Sequence, residues 1–209
     1  MAEIKLTKTE LRQQQVKLGQ LQKYLPTLQL KKALLQIEIN QVDLQLERLE
    51  EEFLHQERRI TGYAPLLSMS GVEHLFSQIS VAHLHKRYEN VAGVDVPHFE
   101  RVEFEPLFYS LFDAPLWFDE AHHQVKQFIA MREEIRVAYE KKRLLGKELR
   151  EVSIRVNLFE KNLIPRTLGY IKKIKIFLGD QQLAAIAQAK ASKRKIQERK
   201  KVLLHDHFA

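Results

Sequence analysis

The sequence predicts a mainly α-helical protein: two long helices paired as an antiparallel, left-handed coiled coil, with a small central region containing a β-hairpin. Three observations predict it. Apolar residues recur at alternating steps of three and four near both ends of the chain. That periodicity vanishes in the middle, where four of the six prolines gather. The 209 residues also hold only seven glycines, too few for a turn-rich β protein. Residues 1–209 read as a single elongated domain with zones at 1–62, 63–118 and 119–209.

The first zone carries its seam on Leu11, Leu18, Leu21, Leu25, Leu28 and Leu35, then on Ile39, Val42, Leu46, Leu49, Phe53 and Ile60. Gln14, Lys32 and Gln56 interrupt it. A period of 3.5 residues predicts a left-handed supercoil. About 50 residues at 1.5 Å each make a rod of about 75 Å. Pro26 lies inside the series, yet Leu21, Leu25 and Leu28 stay in phase across it. A kinked but continuous helix is expected.

The central zone holds "KRYENVAGVDVPHFERVEFE", with Gly93 between two runs rich in valine and aromatic residues. This pattern predicts a hairpin turning near Ala92–Asp95, with Gly93 at positive φ. Pro97 is then confined to an edge or a bulge, because it has no amide to donate. Asp113 is one candidate cap for the C-terminal helix, and Asp119 is the other.

The third zone repeats the seam. It runs through Phe128, Met131, Ile135 and Ala138, then Leu145, Leu149, Val152, Val156, Phe159 and Leu163, with Lys142 as its polar interruption. Beyond Pro165 the apolar set becomes Leu168, Ile171, Ile174 and Leu178, one residue out of phase. A proline inside a helix costs about 3 kcal/mol or more. Its position at a change of register predicts a kink that re-aims the stripe. The alternative is a helix that stops at Leu163 and a new one that starts at Pro165.

Composition bounds the chemistry. The absence of cysteine excludes disulfides and thiolate-bound metals and favours a reducing compartment. No apolar run approaches the roughly 20 residues that span a bilayer, and the N-terminus lacks a signal-peptide core. A cytoplasmic protein is expected. Its histidines, including His83 with His85, His122 with His123, and His205 with His207, show no metal-ligand spacing and read as surface residues. No phosphate-binding loop or nucleophile elbow occurs, and acid runs such as Glu50–Glu52 flank the seam. No catalytic, cofactor or metal residue is assigned.

The net charge of +7 is concentrated at one end. Lys190, Lys193, Arg194, Lys195, Arg199, Lys200 and Lys201 face a single acid, Glu198. Such a tail reads as a solvated helix end, a contact for a partner protein, or a site for nucleic acid or anionic lipid. The paired chain ends would bring Lys5 and Lys8 to the same cluster.

Specific strings carry a resemblance. "KLTKTELRQQQVKLGQL", "LPTLQLKKALLQIE", "YENVAGVDVP" and "RVNLFEKNLIPRTLGYIKKIKIFL" occur in order along nearly the whole chain. Together they resemble the D subunit of V-type (vacuolar/archaeal-type) ATPases, in the form found in certain bacteria. The proline of "LPT" departs from the more charged helix of many relatives.

The resemblance implies a non-catalytic rotor shaft. Its paired helices would stand inside a hexameric ring of A and B subunits, where the ATP chemistry occurs. Its middle would face the F subunit and the membrane-side subunit that couples to the c-ring. Rotation would link ATP hydrolysis or synthesis to H⁺ or Na⁺ transport, with no cofactor, no nucleic acid and no direct membrane insertion. The complex would hold the chain peripheral to the membrane. Expected partner contacts lie in the hairpin string at Glu89, Val91, Gly93, Val94, Val96 and Pro97. Others lie in the C-terminal string at Arg155, Asn157, Pro165 and Arg166. The basic ends add Lys5, Lys8, Lys193, Arg194 and Lys195. The rival readings are a prefoldin-like chaperone and a self-associating coiled-coil scaffold.

Overall fold

A computed structural model describes residues 4–62, 65, 79–106 and 115–206. The elements in order are helix α1 (Lys8–Thr61), strands β1 (Val81–Val91) and β2 (Val94–Phe104), and helix α2 (Phe118–Asn157). A π-helical segment (Leu158–Leu163) then leads into helix α3 (Ile164–Asp206). The chain forms two compact units: residues 29–153, and residues 1–28 with 154–209. Helix α1 contributes to both.

Helix α1 begins with a cap legible in "TKTE". The Thr7 hydroxyl accepts the Glu10 amide at 3.2 Å, satisfying one amide of the open first turn. Arg58 and Arg59 sit in its last turn, where the helix dipole favours cations. Pro26 leaves the helix unbroken, as expected, and the Thr27 hydroxyl donates to the Tyr24 carbonyl at 2.7 Å beside it.

In the unit of residues 29–153, α1 and α2 pair antiparallel. Phe53 stacks on Phe128 with ring centroids 4.3 Å apart, Glu50 takes the Tyr139 hydroxyl, Asp43 meets Lys142 at 2.8 Å and Lys31 meets Glu148 at 2.6 Å. Numbers fall along one helix as they rise along the other. Leu35, Val42 and Leu46 of α1 are buried, as are Val137, Leu145 and Val152 of α2. Fully burying one such side chain stabilises by about 1.5–3 kcal/mol.

One polar position differs from the sequence expectation. Lys31, not Lys32, occupies the seam. A 3-4 repeat leaves a choice of one residue at every polar gap, and here an ion pair settles it: Lys31 finds Glu148. Lys142 interrupts the seam of α2 and pairs with Asp43 of α1.

The two strands form an antiparallel hairpin in which Val91 pairs with Val94. Its turn is Ala92–Gly93, with φ values of 50° and 82°. Two successive positive φ values make the tight turn whose twist matches a hairpin. The turn is thus shorter than the Ala92–Asp95 expected, and Asp95 belongs to β2. There its carboxylate accepts the Asn90 side-chain amide at 2.7 Å, while Asn90 Oδ1 accepts the Gly93 amide at 3.0 Å. Pro97 pairs opposite Tyr88. It is tolerated because both strands of a two-stranded sheet are edges.

An isolated hairpin is marginal in water. This one lies against α2. Lys86 bonds Glu140 at 2.6 Å, His98 meets Lys141 at 3.2 Å and the Lys126 ammonium lies 5.4 Å from the Phe104 ring centroid. A second face of α2 is therefore covered, which explains why Glu133, Val137 and Lys141, four residues apart, are all buried.

Helix α2 starts at Phe118, so Asp119 stands in its first turn beside Glu120 rather than at the cap. Both acids favour the positive end of the helix dipole. The Phe118 amide bonds the Pro115 carbonyl at 2.9 Å. Asp113 lies outside the described residues.

In the second unit, Leu21, Val156, Thr167, Ile171 and Ile174 are buried. The helix passes Pro165 without stopping. The Ile164 amide bonds the Phe159 carbonyl, a five-residue step. A π turn takes in one residue more than an α turn, and one residue is the observed phase shift. The face that emerges is Leu163, Thr167, Ile171 and Ile174. Leu168, expected in the seam, is 47% exposed, whereas Thr167 is 3% exposed. The Thr167 hydroxyl is satisfied by the Leu163 carbonyl at 2.7 Å, which lets a threonine fill the place.

Candidate interaction surfaces

The hairpin residues singled out by the sequence separate into two sets. Val96 and Pro97 are buried. Val91 and Val94 are half-buried beside the turn, and Glu89 and Gly93 are exposed. Glu89 is not free: its carboxylate lies 3.2 Å from His98 Nε2 and 3.9 Å from Arg87. A Cβ built on Gly93 would lie 3.8 Å from Lys31 Nζ, so the turn sits over the Lys31–Glu148 pair.

Beneath the hairpin lies a polar junction. His98 Nε2 faces Lys141 Nζ and Glu89 Oε2, each at 3.2 Å. Burial, then the Lys141 charge, holds the imidazole below its usual value, against the pull of Glu89 and Glu38. A neutral ring accepts from the lysine. A protonated ring must turn its new N–H to the carboxylate. Close by, hydrogen bonding to Lys86 lowers Glu140; further along the hairpin, hydrogen bonding to His85 lowers Glu103. His83 and His85 share a strand face with ring centroids 4.6 Å apart. Among the described residues no group of three metal-ligating side chains occurs, and no helix is long and apolar enough to cross a membrane.

Arg155 and Asn157 are exposed just before the π segment, and Pro165 and Arg166 are exposed just after it. Arg166 donates to the Tyr170 hydroxyl at 2.6 Å, with its guanidinium 5.3 Å from that ring's centroid. The conspicuous string "RVNLFEKNLIPR" therefore encodes the register change, with polar residues standing outward at both ends.

Further along α3 the packed face ends at Leu178 and Gly179, and every side chain from Asp180 to Arg199 is exposed. Lys193, Arg194 and Lys195 belong to this length; Arg194 pairs with Glu198 at 3.5 Å. Lys190 stands twelve residues beyond Leu178, about 18 Å along a helix. Lys5 and Lys8 are exposed, but Ile4 and Leu11 around them are half-buried and belong to the packed part of the unit.

Sequence reading missed one surface. The exposed side of α2 between Arg132 and Arg150 is basic, although that stretch is rich in both signs of charge. The signal was available as a period: Arg132, Arg136, Arg143, Lys147 and Arg150 fall on one helical stripe.

Comparison with known proteins gives this architecture a family. A family model described as the D subunit of ATP synthase matches residues 10–194, which takes in α1, the hairpin, α2 and most of α3. The chain belongs to the family of ATP synthase D subunits. Its relatives include proteins named as the D subunit of V-type ATP synthase from three species of Chlamydia. That of Chlamydia abortus (strain DSM 27085 / S26/3) is 41% identical over 200 residues, covering 95% of this chain and 96% of the relative. That of Chlamydia muridarum (strain MoPn / Nigg) is 43% identical over 206 residues, with 95% and 98% covered. That of Chlamydia trachomatis serovar L2 (strain ATCC VR-902B / DSM 19102 / 434/Bu) is 44% identical over 204 residues, again with 95% and 98% covered. For a chain of this family, the hairpin, the exposed residues around the π segment and the exposed length of α3 are the surfaces to weigh as contacts.

Proposed function

We propose that this chain is the central rotor-stalk subunit of a V-type ATPase, with residues 1–209 acting as one domain. In this reading it is not itself a catalyst. ATP is hydrolysed or made in a surrounding ring of A and B subunits, and rotation of this chain couples that chemistry to H⁺ or Na⁺ transport. The observation that carries the reading is the match of residues 10–194 to the family of ATP synthase D subunits.

The physical features fit the role. A shaft must resist bending and twisting, and α1 and α2 are tied across their seam by stacking and ion pairs as well as apolar packing. The exposed length of α3, Asp180 to Arg199, carries Leu183, Ile186 and Ile196 in the open. Apolar side chains around a lone helix call for surroundings, and the A/B ring supplies them. The hairpin, with Glu89 and Gly93 outward, faces the F subunit or the membrane-side subunit that couples to the c-ring. The chain is cytoplasmic and reaches the membrane only through the complex.

Co-expression with the cognate A, B and F subunits tests this. The chain is expected to purify in one particle with the A/B ring and the F subunit. A version ending at Lys195 is expected to assemble more weakly, more so at high salt, with most ATP hydrolysis retained in the particles that form. A chain that purifies only with itself or with unfolded clients contradicts the reading.

A further inference from the structure

Between Arg132 and Arg150 the fully exposed positions of α2 are Arg132, Arg136, Tyr139, Arg143, Lys147 and Arg150. Five of the six are cationic and none is acidic. The acids of the same stretch are turned inward or engaged. Glu133 is buried beneath Arg132 and Arg136 at 3.3 and 2.9 Å, Glu140 holds Lys86 and Glu148 holds Lys31. Glu134 is half-buried near Glu52, and burial raises its carboxyl. Charge that cancels along the sequence is therefore separated in space.

The stripe has a definite form. Its steps are four, three, four, four and three, so it runs nearly straight along the helix for about 27 Å. It is one residue wide. Tyr139 stands within it, its hydroxyl engaged by Glu50, so the ring is held in place as an apolar contact among the charges. Arg143, Lys147 and Arg150 join no ion pair among the described residues.

We propose that this face of α2 docks an acidic α-helix of another protein. A straight, narrow cationic stripe with helical spacing is matched by glutamates at i, i+4, i+7 and i+11 on a partner helix lying alongside. Such complementarity selects the partner and speeds encounter more than it adds affinity. A nucleic-acid surface would present a broader basic face. The inference stands apart from the rotor reading, since it uses only this face of the chain.

The test uses the full chain and a labelled alanine-based peptide carrying glutamates at that spacing, with anisotropy read at about 50 and 150 mM salt. Its glutamine counterpart, a single-stranded RNA and phosphatidylserine vesicles serve as comparison probes. The glutamate peptide is expected to bind, more weakly at the higher salt, and the glutamine peptide is not. The pair R143Q/K147Q, which breaks no ion pair within the chain, should weaken peptide binding about fivefold or more. The tail triple K193Q/R194Q/K195Q should change it less than twofold. No peptide binding by the wild type, equal binding by R143Q/K147Q, or a larger loss for RNA or vesicles than for the peptide would each overturn the proposal. Melting curves confirm that the variants, altered only at exposed positions, remain folded. Should R143Q/K147Q fail to fold, R150Q alone replaces it with the same two outcomes.

Discussion

The amide of Ile164 reaches the carbonyl of Phe159, five residues back, immediately before Pro165. Pro165 has no amide, so the α-type bond to Lys161 is lost whatever the backbone does. The π segment places this loss where the seam already needs an extra residue. Inserting one alanine between Pro165 and Arg166 adds a residue that the π segment does not absorb and should rotate everything downstream by about 100°. Ile171 and Ile174 would leave the packed face. A large fall in melting temperature is expected for the insertion and little change for Pro165→Ala, both read by circular dichroism. An unchanged melt for the insertion would show that the register does not matter.

Leu35 and Leu145 are both fully buried in the seam. Leu145→Ala removes its contacts and leaves a cavity, so stability should drop by about 2–5 kcal/mol. Ile154→Ala, at an exposed position, should stay within about 0.5 kcal/mol. Urea titration measures both. Equal effects would mean that the seam is not the core.

Gly93 has φ of 82°, where a side chain is disfavoured by about 1–2 kcal/mol. Gly93→Val should loosen the turn while the helices persist. Ala92 is also left-handed, at φ 50°, so Ala92→Gly should tighten the hairpin. Amide exchange across residues 84–102 distinguishes the two. Protection that moves the same way in both variants contradicts this account of the turn.

His98 sets a pH response. Its folded-state pKa lies below the ordinary 6.5, because burial and Lys141 oppose the charge. The unfolded chain thus takes the proton more readily. Stability from this site is fully present above about pH 6.5 and is lost as pH falls through 6.5 toward the folded value. His122 is also lowered, first by burial, and leaves a residual slope of the same sign. The fall in melting temperature from about pH 7.5 to 5.5 should be smaller in His98→Gln than in the wild type. Equal falls would remove His98 from the response.

Much of the fold was legible because a coiled-coil seam and a Val-Ala-Gly-Val turn write their geometry locally. Leu35, Val42 and Leu145 declared themselves by period, and Gly93 by its place between two strand-like runs. What escaped depended on partners elsewhere in the chain. Lys31 rather than Lys32 enters the seam because Glu148 waits across it. Thr167 displaces Leu168 because the backbone takes up an extra residue before it and the Leu163 carbonyl satisfies its hydroxyl. The family was recognisable from four short strings, yet Val96 and Pro97, part of the hairpin string, prove to be packing residues. The basic side of α2 was hidden because charges were summed along the chain, whereas a partner meets them one face at a time.

The measurement that tests the central claim most directly is rotation. A complex is assembled from this chain with its cognate A, B and F subunits, the ring is fixed to a surface, and a bead is attached to this chain. On adding ATP, the bead is expected to turn in one direction, in steps that repeat with the threefold symmetry of the ring. A bead that stays still while the same particles hydrolyse ATP would contradict the rotor reading.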